Sequence, residues 1–202
     1  MHPHGGPLGA GTRQDILSAI RGHPIIAAVR QPESLDHALA APLGVIFLMT
    51  GDILTVRKTV ERIRDAGKRV MVHVDLLKGL AADREGILYL ATEVKPDGIV
   101  STRSHLLQSA RKAGLLTVQH LFVIDTHALE TGVNHVRQFG PDIVEIMPGL
   151  MPRVVRDLSR MVDQPIVAAG LITNFAEVQA VIDAGATAVV VSHEQLWDLT
   201  LT

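Results

Sequence analysis

The chain has 202 residues, with 19 Lys and Arg against 21 Asp and Glu, ten His and no Cys. This length is enough for one substantial hydrophobic core. The net charge of -2 gives no electrostatic signature of a nucleic-acid-binding or polybasic membrane-surface protein. The lack of Cys excludes disulfides, zinc sites built on thiolates and thiol nucleophiles.

The opening segment, residues 1–12, is rich in Gly, Pro and His and has neither a basic start nor an apolar stretch. It is predicted to be a disordered lead-in rather than a signal peptide. Residues 13–202 are predicted to form a single domain. No apolar run approaches the roughly 18 residues of a membrane-spanning helix, so the sequence favours a soluble, cytoplasmic protein without a membrane partner.

From residue 25 onward, short runs of Val, Ile and Ala alternate with longer segments of helical period. In the segment 153–162, for example, Val155, Leu158 and Val162 fall on one predicted helix face. Gly ends several such segments, as at Gly67, where a left-handed residue can close a helix. The predicted strands are Ile25–Val29, Val45–Met49, Val70–Val74, Gly98–Val100, Leu115–Val123, Asp142–Met147, Pro165–Ala169 and Ala188–Val191.

Strands that are apolar on both faces and separated by helices are typical of parallel sheets. Eight units predict an α/β fold in which the sheet closes into a compact (β/α)8 TIM-type barrel. The alternative is an open doubly wound parallel sheet, because the chain is short for a barrel. Either fold places ligand chemistry at the C-terminal ends of the strands.

Two of these strand ends have the composition of phosphate-binding loops. Gly170–Asn174 follows the seventh predicted strand and Ser192–His193 follows the eighth. The loops after these two strands frequently bind phosphate in barrels, through backbone N–H groups and helix N-termini. The first loop also has the pattern of an ordinary strand-to-helix turn with a capping residue, so both interpretations stay open.

The third strand end carries His73 and Asp75 on one face, with Lys78 in the following loop. These residues could form an acid/base group of a lyase or isomerase, or a polar layer that holds a ligand. Glu145 lies within the sixth predicted strand, where a carboxylate that points into the core needs a partner. Arg30 and Arg103 are the candidates for that partner.

The His residues lie on separate elements without metal-ligand spacing, so no metal site and no cofactor are predicted. The dinucleotide-binding motif Gly-x-Gly-x-x-Gly, the P-loop and the nucleophile elbow Gly-x-Ser-x-Gly are absent from the sequence. Arg153, Arg156 and Arg160 share one face of a predicted helix. This basic stripe could contact an RNA phosphate backbone, or it could be a solvated helix surface.

Five sequence blocks taken together resemble one known family. They are HVDLLKG at 73–79, KPDGIVSTRS at 95–104, FVIDT at 122–126, PGLMP at 148–152 and AGLI at 169–172. The chain resembles the glycerol-3-phosphate responsive antiterminator family, the glycerol uptake operon antiterminator regulatory proteins. The resemblance extends from about Ile16 to the last predicted helix.

The resemblance implies a regulator rather than an enzyme. It implies a barrel that senses glycerol 3-phosphate and, when loaded, acts on leader mRNA of glycerol-utilisation genes so that transcription passes a terminator. The RNA partner rests on the resemblance alone, and formation of a homo-oligomer stays open. The competing hypotheses are a small phosphosugar lyase, isomerase or glycerol-phosphate transferase that uses the same phosphate site, and a purely structural barrel.

The resemblance also implies a set of ligand-binding positions. The phosphate is expected against the amides of 170–173 and 192–193, and the glycerol hydroxyls near Asp75, Glu145 or Lys78. Relatives often have Asn where this chain has His193. The loop 75–83, with Gly79 as a hinge, is expected to order over the phosphate. The implied ligand-binding residues are Arg30, Asp75, Lys78, Arg103, Glu145, Gly149, Gly170, Leu171, Ile172, Thr173, Ser192 and His193.

Overall fold

A computed structural model of the chain describes residues 10–199, with side chains from residue 13 onward. The predicted lead-in lies outside the described residues as far as residue 9. Its last three residues begin the first helix, α1 (Ala10–Gly22), so the predicted boundary after residue 12 falls inside a helix. In the described range, no helix is both long and apolar enough to cross a membrane.

Eight parallel strands form a closed barrel in which each strand pairs with the next and β8 pairs with β1. The (β/α)8 prediction is therefore confirmed, and the alternative of an open sheet is wrong. The strands are β1 (Ile25–Val29), β2 (Val45–Leu48), β3 (Arg69–His73), β4 (Gly98–Ser101), β5 (Leu116–Phe122), β6 (Ile143–Met147), β7 (Ile166–Ala169) and β8 (Ala188–Val191).

Helices connect the strands on the outside of the barrel, and a 3-10 turn, Glu194–Leu196, follows β8. The helices are α2 (Leu35–Ala40), α3 (Val56–Asp65), α4 (Arg84–Tyr89), α5 (Ser104–Lys112), α6 (Thr126–Phe139), α7 (Pro152–Met161) and α8 (Phe175–Asp183). Helix α3 illustrates how the outer helices pack on the sheet: its apolar residues Val56, Val60 and Ile63 recur at helical spacing and are buried.

The barrel interior is a hydrophobic cluster of its own, separate from the layer between the strands and the helices. Side chains of α1, including Ile16 and Ile20, belong to this interior cluster and close the N-terminal end of the barrel. Higher in the bore, the interior positions of three strands are polar: His73, His120 and Glu145. The polar side chains of the barrel interior therefore lie toward its C-terminal mouth.

Candidate functional site

A cavity of about 410 Å³ occupies the C-terminal mouth of the barrel. This volume is within the range of small-molecule sites. Most of its wall is apolar, from Ala28, Met49, Phe122, Met147, Ala169 and Val190. Its polar lining consists of Arg30, His73, Asp75, Thr102, His120 and Ser192, together with the backbone of the loop after β7. We call this space the central cavity.

A buried histidine–carboxylate pair lies at the floor of the central cavity. His120 and Glu145 are register partners on β5 and β6, and both face the barrel interior. Nδ1 of His120 lies 2.6 Å from Oε2 of Glu145, although the angles at this contact are not those of a hydrogen bond. The Glu145 side chain is fully buried, so this carboxyl group needs a polar neighbour, and the His120 imidazole is the one beside it.

His73 completes this floor beside His120, with 5.7 Å between the two ring centroids. Burial lowers the pKa of His73, so its imidazole is neutral at pH 7. The buried Nδ1 of His73, Nε2 of His120 and Oδ1 of Asp75 have no hydrogen-bond partner among the described residues. Buried polar atoms without partners are costly, so this floor is suited to a ligand that both donates and accepts hydrogen bonds.

The expected partners of Glu145 are wrong, because neither Arg30 nor Arg103 pairs with it. Glu145 lies inside the bore at the level of His120, below the rim that the two arginines occupy. The Nε of Arg103 lies 3.5 Å from Oδ1 of Asp75 instead. The other oxygen of Asp75 accepts hydrogen bonds from Ser101 Oγ and the Thr102 amide, so Asp75 also holds the loop after β4 in place.

The loop after β7 has a strained backbone. Gly170 and Leu171 are both left-handed, with φ of 81° and 65°. For Leu171 this conformation costs roughly 1–2 kcal/mol, and such strain is typical of binding loops. The Gly149 amide donates to the carbonyl oxygen of Gly170 at 3.0 Å. Gly149 therefore supports this loop from β6 and is not part of the cavity wall.

Thr173, at the end of the same loop, already has a carboxylate partner. Its amide donates to Oε2 of Glu177 at 2.7 Å, and its hydroxyl donates to the same oxygen. The Thr173 amide lowers the pKa of Glu177, which therefore stays ionised. Asn174 caps α8 by accepting from the Glu177 amide. The capping interpretation of this loop thus holds for Thr173 and Asn174, whereas Gly170, Leu171 and Ile172 line the cavity.

The structure divides the predicted ligand-binding residues into two groups. Six of them line the central cavity: Arg30, Asp75, Gly170, Leu171, Ile172 and Ser192. The other six do not: Lys78, Arg103, Glu145, Gly149, Thr173 and His193. Of these, Lys78 faces a neighbouring groove, and His193 is exposed before the 3-10 turn that follows β8.

The predicted hinged loop after β3 is joined to the loop after β2. The Lys78 amide donates to the Gly51 carbonyl oxygen, and the Ile53 amide donates to the Lys78 carbonyl oxygen. A Cβ at Gly79 would lie 3.1 Å from Cγ2 of Ile53. These contacts explain why Lys78 is held on the outer side of the rim and not over the central cavity.

The predicted RNA-binding residues Arg153, Arg156 and Arg160 are exposed on α7. Nη1 of Arg153 lies 3.4 Å from Oδ2 of Asp157, one helical turn further along, so part of this positive charge is compensated. Within the part of the chain that the structure describes, no contact distinguishes the stripe from a solvated helix surface, and its role stays a prediction.

Sequence reasoning assigned no binding role to His120, Phe122 or Thr102, all of which line the central cavity. The alternation of side chains along β5 could have indicated His120 and Phe122, because Val118, His120 and Phe122 are spaced two residues apart and therefore share the inner face of the strand. Among the described residues, no group of three His, Cys, Asp or Glu side chains is arranged to hold a metal ion.

These features define a (β/α)8 barrel with a ligand-sized cavity, a polar floor and a strained loop after β7. Residues 25–197 match the sequence model of the family described as "Glycerol-3-phosphate responsive antiterminator". The chain belongs to this family, whose description is that of antitermination regulators. The resemblance that the five sequence blocks indicated is confirmed.

Individual relatives agree with this assignment. The uncharacterized protein YgcP of Escherichia coli K12 is 33% identical over 184 residues, which cover 91% of this chain and 96% of YgcP. The crystal structure of a glycerol uptake operon antiterminator regulatory protein from Listeria monocytogenes is 33% identical, with a TM-score of 0.84 over 87% of this chain and 95% of that chain. A glycerol uptake operon antiterminator-related protein from Thermotoga maritima is 29% identical, with a TM-score of 0.79 over 88% and 99%.

Proposed function

We propose that this protein is a glycerol 3-phosphate-sensing transcription antiterminator. In this proposal it binds glycerol 3-phosphate in the central cavity and acts in the cytoplasm on leader mRNA of glycerol-utilisation genes. The observation that carries the proposal is the polar floor of the central cavity, where buried Nδ1 of His73, Nε2 of His120 and Oδ1 of Asp75 have no hydrogen-bond partner among the described residues. Only Oδ1 of Asp75 has a cation beside it, the Arg103 guanidinium at 3.5 Å. The family description supplies the identity of the ligand.

The two ends of glycerol 3-phosphate match the two ends of the cavity. Its phosphate lies against the backbone of 170–172 and Ser192, where the guanidinium of Arg30 offsets part of the negative charge. Its hydroxyl groups reach the floor and exchange hydrogen bonds with His73, His120 and Asp75. Hydroxyl groups suit this floor because each can donate and accept. Glu145 keeps the His120 ring in position and does not contact the ligand.

A second candidate function is catalysis on a phosphorylated sugar, as a lyase, isomerase or glycerol-phosphate transferase. The His120–Glu145 pair favours it, because an imidazole held by a buried carboxylate is a common general base. A regulator leaves its ligand unchanged, whereas an enzyme converts it. The fate of the ligand therefore separates the two functions.

The test is a calorimetric titration of the protein with glycerol 3-phosphate, with glycerol and inorganic phosphate as controls. We expect saturable binding of glycerol 3-phosphate that is at least tenfold tighter than binding of either control, because each control reaches only one end of the cavity. NMR of the recovered ligand is expected to show no conversion. Equal affinity for inorganic phosphate would contradict the sensor, and conversion of the ligand would favour the enzyme.

A further inference from the structure

A second space of about 700 Å³ adjoins the central cavity on the outside of the barrel. It lies at the C-terminal ends of β1 and β2, and side chains of α2 and α3 contribute to its wall. We call it the outer groove. Its polar side chains include Arg30, Thr50, Thr55, Thr59, Arg62 and Lys78.

Two cations in the outer groove form no ion pair with an acidic side chain of the described residues. Within residues 13–199, neither Arg30 nor Lys78 forms an ion pair or a side-chain hydrogen bond. By contrast, Nη2 of Arg62 lies 2.6 Å from Oδ1 of Asp36, and Arg103 and Arg153 are also paired. The groove therefore combines threonine hydroxyls with two cations that are in no direct ion pair within this range.

The carboxylate in the groove, that of Asp52, is satisfied within its own turn. Its Oδ1 accepts hydrogen bonds from the amides of Leu54 and Thr55, both at 2.9 Å, and from the Thr55 hydroxyl at 3.0 Å. Its negative charge offsets part of that of Lys78. The hydrogen bonds leave Lys78 as the groove cation that is free to meet an incoming anion, while Arg30 lies on the wall shared with the central cavity.

The Lys78 backbone is fixed before any ligand arrives. The two hydrogen bonds that join it to Gly51 and Ile53, at 3.1 Å and 3.0 Å, hold the loops after β2 and β3 together. A preorganised backbone reduces the entropy that binding must overcome. The Lys78 side chain therefore extends from a fixed part of the rim.

We propose that the outer groove binds the phosphate backbone of single-stranded RNA. Phosphate contacts by Arg and Lys supply most of the affinity of such binding. The groove is much larger than one phosphate ion, and the exposed apolar side chains of Pro32 and Leu76 provide a surface for a ribose or a base. This inference rests on the proposed function for the choice of RNA as the source of the phosphate.

The shared wall between the two spaces supports this location for the RNA. Arg30, Met49 and Leu76 line both the central cavity and the outer groove. A ligand that moves any of these three side chains in the cavity also changes the wall of the groove. By contrast, the Arg153 stripe on α7 contributes to neither space.

The test is fluorescence anisotropy with a labelled 12-nucleotide oligouridylate over a salt series. The proteins are the wild type, the variant Lys78→Gln and the matched control Lys112→Gln, which removes an exposed lysine from the end of α5. One lost phosphate contact lowers the slope of log K against log salt by about 0.7, which corresponds to roughly fivefold weaker binding at 0.1 M salt. We expect this loss for Lys78→Gln and no change for Lys112→Gln.

Three results would overturn the proposal. They are no binding of the oligouridylate by the wild type at low salt, equal binding by the two lysine variants, and competition by inorganic phosphate as effective as that of unlabelled RNA. The last result would make the groove a site for free phosphate. Glycerol 3-phosphate calorimetry on the same proteins distinguishes failure of the RNA-binding groove from failure of the ligand sensor. A wild type that binds the oligouridylate but not glycerol 3-phosphate would refute only the proposed sensor.

Discussion

The His120–Glu145 pair allows a quantitative prediction that separates stability from binding. The variant His120→Phe leaves the fully buried Glu145 carboxylate beside a phenyl ring. A buried carboxylate that loses its partner typically costs about 3–5 kcal/mol of unfolding free energy. For a domain of this size, that loss corresponds to a decrease in Tm of roughly 6–20 °C. Glu145→Leu is expected to destabilise as well, because it leaves the His120 imidazole buried without its carboxylate.

The double variant Glu145→Leu/His120→Phe replaces both polar groups by apolar ones of similar volume. Such replacements are often neutral or stabilising, so the double variant is expected to recover most of the loss of His120→Phe. It is also expected to lose glycerol 3-phosphate binding, since the ligand no longer meets the imidazole. Stability is measured by urea denaturation, with the fluorescence of the sole tryptophan, Trp197, as the signal. Additive losses in the two single variants would refute the reasoning.

Two further predictions concern the rim of the barrel. Hydrogen bonds to Glu194 and Asp198 raise the pKa of His37, so its contribution to stability is complete below about pH 6.5 and is lost as the pH rises through the raised pKa. The Tm difference between the wild type and His37→Gln should therefore be larger at pH 5.5 than at pH 9, and an equal difference would contradict this. Gly149→Ala places a Cβ 2.8 Å from Cδ1 of Ile172, which lines the central cavity. We expect this variant to lose about 1–3 kcal/mol of unfolding free energy in urea denaturation and to bind glycerol 3-phosphate more weakly. The control Gly22→Ala, where a Cβ meets nothing within 4 Å, is expected to show neither effect.

The sequence contains enough information for the fold because each βα unit repeats the same local pattern. The predicted strands agree with the observed ones to within one residue at each end, as for β5, predicted at 115–123 and observed at 116–122. Eight such units favour closure of the barrel, and the pairing of β8 with β1 establishes it. Helix α1 differs, because its role in closing the N-terminal end depends on packing against the finished barrel.

The candidate site was only partly predictable, because its contacts depend on register between neighbouring strands. Glu145 was correctly placed inside the sheet, but its partner His120 follows from the alignment of β5 with β6, which no local pattern encodes. Lys78 was placed with the ligand because it follows β3 closely. Its actual position depends on the backbone bonds to the loop after β2.

The most direct test of the central claim is a crystal structure of the protein with glycerol 3-phosphate. We expect the phosphate against the loop after β7 and Ser192, with the hydroxyl groups within hydrogen-bond distance of His73 and His120. A ligand bound in the outer groove, with the central cavity filled by water alone, would contradict it.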